Sequence, residues 1–296
     1  MGGVAPWQRL LWGNARRGPW DGGLTVVSNV LGAAARALLV MMLIATPGLM
    51  LPPDADTVQM TVLVCIVGGA LIFAEYAAVY PGFISFRDMA PFNRVRFVAV
   101  FTTLFGLCAI AQQMQGGASS LGVVLAAVGG ATTALFDLPL SPTTLMSAAL
   151  EPHIGVDLAR ALAGWAALWA MGTMATFIAV VQALRWPPDG EELNLWVNLP
   201  LFGAANEDEV VDKLRQGACI NFVLGSTLPF ILPFLILAVA PALWFTKSGS
   251  EQLVVWLVTI WAMAPTICWM RGLACLRISD VVANRRIDGG EAYASS

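Results

Sequence analysis

Long apolar segments with few charges recur along this chain, and they constrain its fold more than any other feature. Seven such windows occur, at about 30–51, 58–80, 95–114, 119–136, 161–184, 218–243 and 252–275. A helix of about 20 apolar residues crosses a hydrocarbon core of about 30 Å. The windows therefore predict an all-α integral membrane protein.

The composition excludes a soluble globular protein. Hydrophobic residues make up 58% of the 296 residues and charged residues only 12%, whereas a soluble domain carries about 25% charged residues. The net charge of −3 is too small to indicate nucleic acid as a partner. All five cysteines lie in apolar windows and form no CxxC pair, so we expect neither a disulfide framework nor a zinc site.

Short connections separate the windows and leave no room for a separate extramembrane domain. We expect three parts: a cytoplasmic or interfacial segment at 1–29, a single transmembrane bundle at 30–275 and a cytoplasmic tail at 276–296. The longest polar connection, 186–217, is predicted to hold a loop and a cytoplasmic helix. This helix begins after Asn206 and runs into the next span.

The distribution of basic residues predicts how many windows cross completely. If 119–136 does not cross, six spans remain and both termini are cytoplasmic. All 16 basic residues except Arg160 and Lys247 then lie on the cytoplasmic side, a split of 14 to 2. If that window does cross, the split becomes 9 to 7. Because cytoplasmic loops are enriched in basic residues, we predict six spans plus a re-entrant or partly inserted segment, with seven spans as the alternative.

The partly inserted segment is expected to be a broken hairpin. Gly129-Gly130 and the proline-containing stretch 137–142 are typical of interrupted helices. Irregular backbone at membrane depth is tolerated only where protein buries it. We therefore expect 119–136 to lie against other helices.

Arg36 and Glu75 lie inside apolar windows, where charge is costly and often functional. Arg36 lies about six residues inside the first window and Glu75 about five from the end of the second, so both are about 8–9 Å from the same boundary. Opposite charges at matching depth on antiparallel helices predict an intramembrane ion pair. The pair would be either a proton or ion relay or a structural contact. Without a partner, the Arg36 side chain would instead extend toward the lipid headgroups.

Charged residues outside the hydrocarbon core form two further groups. Arg87, Arg94 and Arg96 are predicted to contact anionic lipid or a partner protein at the cytoplasmic surface. The alternative is that they only anchor the loop.

On the opposite side, the segment 137–160 carries a second group. Its members are Asp137, Glu151, His153, Asp157 and Arg160. This group suggests pH sensing or cation binding, against ordinary solvation of a loop.

One window carries small residues at helical spacing. They are Ala163, Ala166, Ala167 and Ala170. Small side chains let helix backbones approach closely, so this row predicts a packing face within the chain or against a partner. General alanine richness without a specific contact is the alternative.

Catalytic signatures are missing. The single histidine, His153, excludes a multi-histidine metal site, and no phosphate-binding glycine loop occurs. We expect no cofactor and no metal.

Three functions are compatible with this sequence. The first hypothesis is a non-catalytic subunit or assembly factor of a bacterial inner-membrane complex, with the bilayer and a membrane protein or a second copy as partners. A solute or ion transporter or channel using Arg36 and Glu75 is the second, and a membrane-embedded enzyme the third.

Overall fold

The computed structural model describes residues 22–51, 55–78, 82–87, 91–117, 119–187, 207–243 and 250–294. Within these ranges the chain is helical and contains no strand. The helices are α1 (Gly22–Met50), α2 (Ala55–Ala77), α3 (Phe92–Ala111), α4 (Ser120–Leu135), α5 (Pro142–Ile154), α6 (Val156–Ala183), α7 (Glu207–Leu243) and α8 (Ser250–Ala294), with a 3-10 turn at Gln112–Gln115.

Six of the described helices are long and apolar enough to cross a membrane, namely α1, α2, α3, α6, α7 and α8. Their span segments contain 20 to 34 residues, and 20 residues of helix extend about 30 Å. The apolar helix α4 has only 16 residues. The predicted all-α membrane bundle of six spans is therefore confirmed, and the additional window corresponds to this short helix.

Helix α4 is continuous, which corrects the expected break at Gly129-Gly130. The hydroxyl of Ser119 accepts a hydrogen bond from the Gly122 N–H at the start of α4, and the helix runs unbroken to Leu135. A glycine inside a helix costs about 1 kcal/mol relative to alanine. Close packing of Gly129 against another backbone offsets that cost.

The connections after α6 agree in part with the sequence analysis. Helix α7 begins at Glu207 and continues into the span, as predicted. The predicted cap at Asn206 and the loop at 188–206 lie outside the described residues, as does the N-terminal segment 1–21. Helix α8 continues through the expected tail as far as Ala294.

Helices α3, α6 and α8 form the centre of the bundle. In an 18-residue window of each span, 50% of α3 and 56% of α8 residues are buried, against 11% in α2. The indole of Trp165 packs directly over Gly106, and Trp169 stacks on Trp165 with ring centroids 5.1 Å apart. Trp169 Nε1 also donates to the Thr102 hydroxyl at 2.6 Å. These contacts fix α6 against α3.

The bundle has two ends, which we name by their loops. The loop end carries residues 82–87, and an aromatic core there includes Phe86, Phe92 and Phe177. The far end is the opposite one, where α3 ends and α6 begins.

Helices α1 and α2 pack along each other as a hairpin at the edge of the bundle. Gly69 faces the Met41 side chain, and the Cys65 thiol donates to the Met41 carbonyl at 3.5 Å. The hairpin joins the centre at the far end, where the Gln112 amide donates to the Met50 carbonyl at 3.1 Å. Most of the α2 surface therefore faces away from the bundle.

Candidate functional site

Glu75 holds the loop 82–87 against the end of α2. Its Oε1 accepts hydrogen bonds from the backbone N–H groups of Gly82 at 2.9 Å, Phe83 at 3.1 Å and Ile84 at 2.9 Å. Its Oε2 accepts a second one from Gly82 at 3.0 Å. The side chain is 5% exposed. One carboxylate thus satisfies three backbone donors, which is a structural role for a residue predicted to be intramembrane.

Arg87 stabilises the same loop through the last turn of α2. Its Nη1 donates to the carbonyls of Glu75 at 2.6 Å and Ala78 at 2.9 Å. Carbonyls at the end of a helix have no partner within the helix, and the helix dipole favours a positive charge there. Arg87 therefore acts within the chain, in addition to any contact with lipid or a partner.

Aromatic side chains pack against one another at the loop 82–87. The Phe86 ring lies 4.8 Å from that of Phe92 and 6.1 Å from that of Trp186, measured between centroids. Phe86 has a φ of 58°, which is uncommon for a residue other than glycine. The Asn93 amide donates to the Phe86 carbonyl at 2.9 Å. The loop is thus shaped by buried contacts.

Arg36 does not share these contacts. Its Cζ lies 4.7 Å from the centroid of the Tyr76 ring, and its Nη1 donates to the Gly32 carbonyl at 2.8 Å. Within the described ranges no ion pair joins Arg36 to Glu75. The predicted pair is therefore corrected to a cation–π contact with the adjacent Tyr76, because the carboxylate of Glu75 binds loop N–H groups.

Arg94 and Arg96 lie in the first two turns of α3. Arg94 is exposed and Arg96 is half-buried. Arg271 of α8 is exposed. Contact of Arg87, Arg94 and Arg96 with lipid or a partner stays a prediction. Arg271 was not among the predicted site residues, although its charge inside the apolar window 252–275 could have indicated it.

The predicted alanine row lies inside the chain. Ala163 and Ala166 are fully buried in the core of α3, α5, α6 and α8, and Ala167 and Ala170 pack against that core. The closest backbone approach, however, involves a residue outside the predicted row.

That approach joins α4 to α6 through two glycines. A Cβ atom on Gly164 would collide with the Gly129 carbonyl oxygen, and one on Gly129 would collide with the Ala161 carbonyl oxygen. The Thr133 hydroxyl donates to the Arg160 carbonyl at 2.7 Å beside this crossing. Close approach between membrane helices is typical of glycine.

Three members of the charged group on 137–160, namely His153, Asp157 and Arg160, line a cavity at the far end. Its volume is about 680 Å³. The lining residues are Gln113, Ala126, Gly130, His153, Ile154, Asp157, Leu158, Arg160 and Ala161. Arg160 forms an ion pair of 3.2 Å with Asp137 at the surface. In the part of the chain that the structure describes, no three His, Cys or carboxylate side chains lie together as metal ligands.

Comparisons with protein-family models, curated proteins and solved structures gave no match. Function is therefore inferred from the geometry of the bundle and its two ends.

Proposed function

We propose that this chain is a non-catalytic subunit or accessory protein of a larger membrane complex. The observation that carries the proposal is that each of the six described spans contains a long uncharged stretch. The uncharged stretches are 37–50, 57–74, 97–111, 161–183, 216–238 and 252–270. Ionisable side chains in membrane helices mark ion and proton pathways. In these stretches the helices pack together without ionisable side chains that could relay ions or protons.

The polar side chains of the central helices support the same interpretation. The hydroxyls of Thr173, Thr259 and Thr266 each donate to the carbonyl four residues earlier in their own helix. Substrate sites of transporters place polar groups toward a cavity near the midplane. These hydroxyls are engaged within their helices instead.

Purification of the tagged full-length chain in a mild detergent tests this proposal. We expect other membrane subunits to co-purify at a fixed stoichiometry, measured by native mass spectrometry. Deletion of the gene should lower the amount of that assembled complex. Purification of the chain as a lone monomer or homo-oligomer would contradict the proposal.

A second candidate function is the binding or transport of a small solute at the far end. The cavity lined by Gln113, His153, Asp157 and Arg160 favours it, since convergent polar groups in a concave site are typical of ligand sites. A screen of charged solutes should then raise the melting temperature of the wild-type chain. The Asp157→Asn variant should lose that response. A membrane-embedded enzyme stays the third hypothesis.

We further propose that both termini are cytoplasmic and that the membrane is a bacterial inner membrane. The split of 14 to 2 among the 16 basic residues supports this orientation. A reporter that is active only outside the cytoplasm, fused after Ser296, should remain inactive. Strong activity of that fusion would show an odd number of crossings or an inverted orientation.

A further inference from the structure

The cavity at the far end combines apolar surface with several polar side chains. Its volume of about 680 Å³ lies within the range of about 300–1,000 Å³ that is typical of small-molecule sites. Helix α4 contributes Ala126 and Gly130 to the lining, and the corner between α5 and α6 contributes Ile154 and Leu158. A small apolar group can pack against these four residues.

Two of the polar side chains in the lining are already engaged within the chain. The Arg160 guanidinium forms an ion pair with the Asp137 carboxylate, with 3.2 Å between Nη2 and Oδ2. The positive charge of Arg160 is therefore balanced. The Gln113 amide nitrogen donates to the Gly122 carbonyl at 3.0 Å, which leaves the acceptor oxygen of that amide for a ligand.

Asp157 is the lining residue whose charge is not balanced in this way. It is exposed in the first turn of α6, and in the part of the chain that the structure describes its carboxylate forms no ion pair. No three His, Cys or carboxylate side chains among the described residues lie together as metal ligands. A single carboxylate beside apolar surface matches an organic cation better than a metal ion.

We propose that the far-end cavity binds an organic ammonium ion, whose charged group contacts Asp157 and whose apolar part packs against Ala126, Ile154 and Leu158. The ligand class rests on the second candidate function, binding of a solute at the same cavity, and adds the chemistry of that solute. A hydrogen bond from an ammonium N–H to a carboxylate is stronger than a neutral one. Transfer of the apolar part out of water adds a favourable hydrophobic contribution.

Three probes of nearly the same shape test the preference for positive charge. They are benzylammonium, benzyl alcohol and benzoate, and the readout is the Kd from ligand-observed NMR on the full-length chain in a mild detergent, with protein-free detergent as the blank. We expect the wild-type chain to bind benzylammonium about threefold more tightly than either other probe. Tighter binding of benzoate or benzyl alcohol, or no binding of benzylammonium, would overturn the ammonium class. The broader candidate of solute binding fails only if the screen of charged solutes also gives no response.

Asp157→Asn removes the charge that is assigned to the ammonium group. It should weaken benzylammonium binding about threefold to fivefold and leave the Kd of benzyl alcohol unchanged. Glu151→Gln is the matched control, because Glu151 is an exposed acid on the adjacent helix α5 and is not among the residues that line the cavity. The control should keep the Kd of benzylammonium within about 1.5-fold of wild type. Equal weakening by both variants would show a general charge effect and overturn the proposal.

Gly130→Leu tests the place of binding independently of charge. Gly130 lines the cavity, and a Cβ atom there would meet nothing within 4 Å. A leucine side chain should therefore occupy cavity space while the melting temperature stays close to that of wild type. Benzylammonium binding should weaken roughly fivefold, because the side chain excludes the probe. Unchanged binding in folded Gly130→Leu would place the ligand elsewhere and overturn the proposal.

Asp137→Asn tests whether the ion pair sets the charge preference of the cavity. Without the Asp137 carboxylate, the charge of Arg160 is no longer balanced. The affinity for benzoate should therefore rise about threefold, while that for benzylammonium falls. An unchanged ratio of the two affinities would contradict the charge balance from which the ammonium class follows.

Discussion

The α1–α2 hairpin and the α3–α6–α8 centre are both apolar and helical, yet different contacts stabilise them. In the centre, helices meet through glycines and interlocking indoles, as at Gly106 and Trp165. The hairpin exposes most of α2, and its loop end is shaped by the polar contacts of Glu75 and Arg87. Lipid is as apolar as a protein core, so burial alone does not position a membrane helix. Close packing positions the centre, and hydrogen bonds at the helix ends position the hairpin.

The largest effect is expected at the glycine crossing. Gly164→Ala places a methyl group against the Gly129 carbonyl oxygen, a backbone atom that moves only if α4 moves. We expect a loss of about 3 kcal/mol in stability, measured by thermal unfolding in detergent. On the same helix, a Cβ at Gly172 would meet nothing within 4 Å, so Gly172→Ala should raise stability by up to about 1 kcal/mol, because alanine has the higher helix propensity. Equal effects of the two variants would refute the crossing.

The loop contact is expected to show the next largest effect. Glu75→Ala leaves the N–H groups of Gly82, Phe83 and Ile84 without their acceptor, at a cost of about 2 kcal/mol. Faster proteolysis of the loop should accompany the lower melting temperature. Glu75→Gln retains one acceptor oxygen and should lose about half as much. A loop as resistant to protease in Glu75→Ala as in wild type would contradict this role.

A smaller loss is expected at the contact between α3 and α6. Trp169→Phe removes the hydrogen bond to the Thr102 hydroxyl and should cost about 1 kcal/mol. Thr102→Val removes the same bond from the other side. The double variant should therefore lose less than the sum of the two single variants, and full additivity would show that the bond contributes nothing.

The smallest expected effect is a coupling near zero between Arg36 and Glu75. The two side chains have separate partners. The stability losses of Arg36→Ala and Glu75→Ala should therefore add to within about 0.5 kcal/mol in the double variant. Recovery of stability in the double variant would restore the ion pair that the sequence suggested and link the hairpin to a charge-based function.

The spans could be predicted from sequence because each depends on a local run of about 20 apolar residues. The continuity of α4 could not, because Gly129-Gly130 is stabilised by contact with Gly164, which lies far along the chain. Without that contact, the same dipeptide would favour a break in the helix.

The site was predicted less completely, for a related reason. Depth along the helix correctly placed Arg36 and Glu75 at the same end of the hairpin. The choice of partners depended on where residues 82–84 direct their N–H groups, and no residue pattern encodes this.

The glycine crossing also sets an order of events during biosynthesis. A chain made from its N-terminus releases α4 before α6, and until then α4 has the end of α3 as its neighbour, through Gly122 and Ala109. The surface that receives Gly129 is completed only when Ala161 and Gly164 enter the membrane. Helix α4 therefore remains incompletely packed while α5 and the start of α6 are synthesised. We therefore expect α4 to dock only after the start of α6 has entered the membrane.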